Sequence, residues 1–170
     1  MSFVYDTDGN VSSFAEYQDV LDTDQRIFDE NEGLSDSIID SLLVRATERL
    51  LSKFRSSQWW RDYYLKRDNN TPMNNIGNLP ELDTTKIIGR HGDFTDLCVY
   101  SALSYYILPK IANFGDSEKS EFNKISFYQN KADELFGELI TFGDWYDFDG
   151  DGTIQSTEVT QGTYNLRRVR

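Results

Sequence analysis

Phe122, Ile125, Tyr128, Ala132, Leu135, Leu139 and Phe142 recur at spacings of three, three, four, three, four and three. An α-helix brings residues at that interval onto one side, and a stripe this long has to be buried against other helices. The helix is predicted to open near Asp116 or Ser117 and to stop at Gly143-Asp144. Two more segments read as helices. Behind a cap at Ser35, Ile39, Leu42, Leu43, Ala46, Leu50 and Phe54 form a second stripe, predicted to continue through Trp59-Trp60 and Tyr63-Tyr64 to about Lys66. Behind a cap at Asp93, Phe94, Leu97, Cys98, Val99, Tyr100, Ala102, Leu103 and Tyr105 to Leu108 are apolar almost all round, as a central helix requires. Pro109 kinks or ends it.

Shorter features fill in the rest. Ser13-Phe14-Ala15-Glu16 reads as a capping box, so a short helix is expected from near Ser13 towards Val20. Asp24 can cap a further turn or two carrying Ile27 and Phe28. Residues 68–90 hold five Asn, Pro72, Gly77, Pro80 and Gly89, and read as a long middle loop that suggests function or disorder. The fold class is therefore mainly α. Three long helices and a short N-terminal one form a small bundle, with a long middle loop and an extended C-terminal arm. Adjacent aromatics on one helix point about 100° apart, so one Trp and one Tyr of the 59–64 collar are expected at the core edge or against a neighbour.

The net charge of −12 argues against general binding to a nucleic-acid backbone. It is unevenly placed. Residues 1–40 hold eleven acids against Arg26, whereas 41–67 hold seven bases against Glu48 and Asp62, and the chain closes on Arg-Arg-Val-Arg. Such an axis suits head-to-tail contacts between identical subunits; the alternative is solvated helix faces. With one cysteine, Cys98, neither an intrachain disulfide nor a cysteine-built zinc site is available. The acidic N-terminus MSFVYDTDGN lacks a secretory pattern, and no apolar run reaches membrane-spanning length. One His, one Cys and no Gly-rich phosphate loop leave no catalytic constellation, so no enzyme is expected. His91 reads as a loop residue.

The chemistry lies in DFDGDGTIQSTE, residues 147–158. A twelve-residue calcium loop takes oxygens from positions 1, 3 and 5, the carbonyl of 7, often a water from 9, and a bidentate Glu at 12. Those positions are Asp147, Asp149, Asp151, Thr153, Gln155 and Glu158. Gly152 stands where the chain must turn sharply, and Ile154 supplies the apolar anchor. The similar start at Asp6-Thr7-Asp8-Gly9-Asn10 has Val11 in place of the turn glycine and Tyr17 in place of the acid, so it reads as a turn. An unpaired loop is a poor sensor. A structural calcium that stiffens the joint between the last helix and the tail is the expectation, with a solvated acidic turn as the alternative.

The run Asp93-Phe-Thr-Asp-Leu-Cys-Val-Tyr-Ser-Ala-Leu-Ser-Tyr-Tyr-Ile-Leu-Pro, followed by the Phe122–Phe142 seam, resembles the head-to-tail adaptor (connector) proteins of tailed bacteriophages. The resemblance covers nearly the whole chain and rests on the order of patterns; the calcium loop is not general to that family. It implies a structural virion protein, assembled in the host cytoplasm, that forms a ring of typically twelve copies. Such a ring joins the portal to tail or neck proteins and lets DNA pass without specific binding. Residues 1–146 would be the helical adaptor domain, 147–158 the calcium loop, and 159–170 a basic arm docking on the portal. Partner contacts are expected from Trp59, Trp60, Tyr63 and Tyr64 and from Leu166, Arg167, Arg168 and Arg170. The alternatives are a stand-alone calcium-dependent helical interaction module, or another neck or tail-completion protein.

Overall fold

The computed structural model describes residues 3–25, 34–67, 79–111 and 119–159. The chain opens with a hairpin, β1 (Val4–Tyr5) antiparallel to β2 (Val11–Ser13). Between them the Asp6–Asn10 segment is the expected turn. Asp6 Oδ1 accepts the amides of Asp8 (2.9 Å) and Asn10 (2.8 Å), and Gly9 takes φ +84°.

The first helix starts later than expected. Ser13 ends a strand, and its hydroxyl bonds Ala15 locally. Helix α1 (Tyr17–Thr23) begins instead behind Glu16, whose N–H donates to the Asp19 carboxylate at 2.9 Å. The reason is tertiary. Phe14 is fully buried, its N–H donates to Thr47 Oγ1 (3.1 Å), and its carbonyl accepts from Thr95 Oγ1 (2.9 Å). Two helices thus hold the peptide groups that an earlier helix start would have used. Replacing Thr47 by Val keeps the shape but leaves the Phe14 amide unpaired. Urea denaturation should show a loss of about 1–3 kcal/mol. Asp24 stands at the C-terminal end of α1, accepting Lys124 Nζ (3.1 Å) and Tyr128 Oη (3.2 Å). The turns expected over Ile27 and Phe28 lie outside the described residues.

Helix α2 (Asp36–Ser56) follows its cap at Ser35 and buries Ile39, Leu42, Leu43, Ala46, Leu50 and Phe54, as its period requires. It does not run on to Lys66. Ser57 takes ψ 155°, and its hydroxyl accepts the Trp60 amide (3.3 Å) to start a separate α3 (Gln58–Arg67). The bases of α2 are not a plain solvated face either. Arg45 lies over Tyr106 (5.1 Å), Arg49 over Tyr105 (4.0 Å) and Lys53 over Phe136 (4.1 Å), with Lys53 also 2.9 Å from Asp133. Spaced four apart, these three cations tie α2 to the two helices beside it.

Helix α4 (His91–Ala102) is the central one, burying Phe94, Leu97, Cys98, Val99 and Ala102. It starts before Asp93: Arg90 is the cap residue, at φ 54°, and His91 is the first helical residue, packed on the Phe3 ring. Cys98 is fully buried, which pushes its thiol up to about 11, as an inert core cysteine requires. Ahead of Pro109 the helix widens into a π turn over Leu103–Ile107. There the Leu108 amide reaches five residues back to Leu103, and the short α5 (Leu108–Ile111) completes the rod.

Helix α6 (Lys119–Phe142) packs along α4. Its seam is right in the middle and open at the ends. Tyr128, Ala132 and Leu139 are buried, whereas Phe122 and Phe142 are half exposed. The residues proposed for its opening, Asp116 and Ser117, lie outside the described set. Gly143, at φ +60°, ends it, its N–H donating a hydrogen bond to the Leu139 carbonyl. The chain is thus mostly helical around one core. Its ring contacts run unbroken from the hairpin to the C-terminal loop: Phe3, Phe14, Phe94, Phe54, Trp145, Trp59 and Phe148, each pair of ring centres 4.6–5.4 Å apart.

Candidate metal centre

The acidic loop is fastened before it begins. Ile87 bridges Tyr146, the amides of Ile88 and Gly89 donate to the Trp145 carbonyl, and the Asp147 amide donates to the Lys86 carbonyl. Gly89 permits this approach, since a Cβ there would stand 2.7 Å from the Asp144 carbonyl oxygen. Arg90 adds an ionic clasp. Its guanidinium forks onto the Asp144 carboxylate, reaches Asp93 at 3.1 Å and lies over Phe142. The hydrogen bond from Arg90 is the main reason the Asp144 carboxyl is held below its usual range. Trp145, Tyr146 and Phe148 then bury themselves against Trp59, Trp60 and Tyr63, with Phe148 stacked on Tyr63 at 3.6 Å.

Within the loop, each Asp side chain folds the backbone that follows it. Asp147 is 3% exposed and accepts the amides of Gly150 (2.6 Å) and Gly152 (2.8 Å). Both glycines have positive φ, +79° and +84°, which side-chain-bearing residues rarely adopt. Asp149 accepts the Asp151 amide, and Asp151 accepts the amide and hydroxyl of Thr153 and the side-chain amide of Gln155. The outcome is three carboxylates, Asp147, Asp149 and Asp151, each offering an oxygen within 4.8 Å of the others. Burial works to raise Asp147, but the two glycine amides outweigh it and leave its carboxyl lowered. Asp149 is raised by burial and by the neighbouring charges of Asp151 and Glu158. The Thr153 hydroxyl and Gln155 lower Asp151.

Oxygens at these separations fit one cation with bonds of about 2.3–2.6 Å. An all-oxygen, highly anionic donor set suits calcium or magnesium rather than a metal that prefers nitrogen or sulfur. Of the six ligand positions read from the sequence, the structure gathers these three Asp. Thr153 and Gln155 lie alongside, bonded to Asp151. Glu158 is turned elsewhere: it is 1% exposed and its carboxylate accepts the amides of Phe148 (2.9 Å), Asp149 (3.2 Å) and Gln155 (2.8 Å). There it caps α7 (Ser156–Val159) and closes the loop on itself. Bidentate ligation would require Oε1, which accepts two of those amides, to free a lone pair.

The aromatic collar turns its two Trp into the core and leaves its two Tyr at the core edge. Trp59 is 7% and Trp60 0% exposed, and Tyr63 and Tyr64 are partly buried beside them. The break at Ser57 resets the helix, the C-terminal loop covers one side, and the Trp60 indole donates to the Pro80 carbonyl on the other (3.1 Å). Neither Trp is left to anchor a neighbour. Leu166, Arg167, Arg168 and Arg170 lie outside the described residues. Sequence reasoning missed the 83–90 strap, although Asp83-Thr84-Thr85 carried a local cap signal: Asp83 accepts the Thr85 amide at 3.0 Å. Among the described residues no helix is long and apolar enough to cross a membrane. No protein-family model, curated protein or solved structure matches the chain.

Proposed function

We propose that this chain is a structural assembly protein of the head-to-tail adaptor kind, in which the 147–158 loop holds a calcium ion as a fixed joint between the helical body and the basic C-terminal arm. The adaptor part rests on the order of helices in the sequence; the observation that carries the fixed joint is where the loop is rooted. Trp145, Tyr146 and Phe148 are core residues, and α6 ends at Phe142, short of the first ligand Asp147. A sensor loop transmits ion binding by swinging the helix that leads into it. Here a short non-helical segment, residues 143–146, bonded to the strap at residues 86–89 leads in, so the ion is placed to lock and not to lever.

On this reading the body is a mainly α bundle, α2, α4 and α6 being the three long helices and α1 the short one. Copies of it form a ring between portal and tail or neck. Arg45 and Arg49 keep outward edges for acidic groups of a neighbouring copy, while an acidic channel wall lets DNA slide. The arm, with Leu166, Arg167, Arg168 and Arg170, docks on the portal. Deleting 163–170 should abolish binding to the cognate portal ring, seen by negative-stain imaging, and leave the far-UV circular dichroism unchanged. Undiminished portal binding by the deletion variant would refute the arm assignment. The rival reading, a calcium-dependent interaction module, predicts a monomer that gains helix and a partner on adding calcium.

A further inference from the structure

Lys86 lies against the loop, although it is about sixty residues away in sequence. Its backbone carbonyl accepts the Asp147 amide (2.9 Å), and its ammonium donates to the Phe148 carbonyl (3.1 Å), between the first two ligand positions. The ammonium also stands over Gly150, where a Cβ would be 3.5 Å from Nζ. Among the described residues Lys86 pairs with no carboxylate, so its charge is not cancelled by a private partner.

Resting on the calcium reading above, we propose that Lys86 is a built-in counter-charge that lowers the cation affinity of the 147–158 loop and sets the calcium level at which the joint locks. Two effects act in the same direction. In the ion-free loop the ammonium offsets part of the repulsion among Asp147, Asp149, Asp151 and Glu158, which stabilises that state. In the loaded loop it stands close to a divalent cation and repels it. Both weaken binding. The site then belongs with calcium modules that fill at about 0.1–1 mM and stay open in a cytoplasm. The joint would lock after the chain meets abundant calcium.

The test is a calcium chloride titration of the full chain followed by Trp fluorescence, since Trp59 and Trp145 pack beside the loop. Lys86→Gln and Lys86→Met remove the charge, and Lys86→Arg keeps it. The two neutral variants are expected to bind calcium on the order of three- to tenfold tighter at low ionic strength, with the gain shrinking as potassium chloride is added. Lys86→Arg should match the wild type. Equal or weaker binding by the neutral variants, with the wild type binding, overturns the role of Lys86 and leaves the calcium joint standing. A gain shared by Lys86→Arg overturns it too, because packing and not charge would then be the cause. Absence of binding in every form overturns the calcium joint and Lys86 with it.

Discussion

Trp145→Ala is expected to lower the unfolding free energy by about 3–5 kcal/mol, the largest effect of any single truncation near the loop. Trp145 is fully buried, with ring centres of Trp59, Phe94 and Phe54 at 4.6, 4.9 and 5.1 Å. Its indole donates to the Leu139 carbonyl at the end of α6 (2.8 Å), and its own carbonyl accepts two amides of the strap. Removing it therefore opens a cavity where helix, strap and loop meet. Urea denaturation followed by far-UV circular dichroism measures the loss, and Trp145→Phe, which keeps most of the volume, should recover more than half of it. A loss under about 1 kcal/mol for Trp145→Ala would mean that the loop is not rooted in the core.

Asp147→Asn is expected to weaken calcium binding by at least about a hundredfold, because ligand charge sets the affinity of such loops. Asn keeps one acceptor and leaves one glycine amide unpaired, so without calcium the fold should lose about 1–3 kcal/mol. The two forms then separate on heating. Calcium at ten times its Kd should stabilise the wild type by about 1.4 kcal/mol and leave the Asn variant unmoved. Equal calcium-induced shifts in melting temperature for both forms would place the ion elsewhere.

What could be read from the sequence was whatever repeats locally. The apolar faces of α2 and α6 repeat every three or four residues, and their buried members are the ones the period selects, while the all-round apolar run of α4 marks the central helix. The same holds for the loop. Asp147, Asp149 and Asp151 meet because their spacing and two positive-φ glycines force them together.

Long-range contacts decided the rest. Nothing near Phe14 announces that Thr47 and Thr95 will take its peptide groups and delay α1. A single extended residue, Ser57, turns one expected helix into two and sends both Trp inward. The cations of α2 meet aromatic rings a third to half of the chain away, which a charge count does not show. Glu158 was readable from its position as a candidate ligand, but not as the acceptor of three backbone amides.

Amide hydrogen exchange with and without calcium tests most directly whether the ion is a fixed joint. The account predicts added protection confined to the loop and its fastening, residues 144–159 and 83–90, with α4 and the body of α6 unchanged. Protection that spreads through α4 and α6, or none anywhere at saturating calcium, would contradict it.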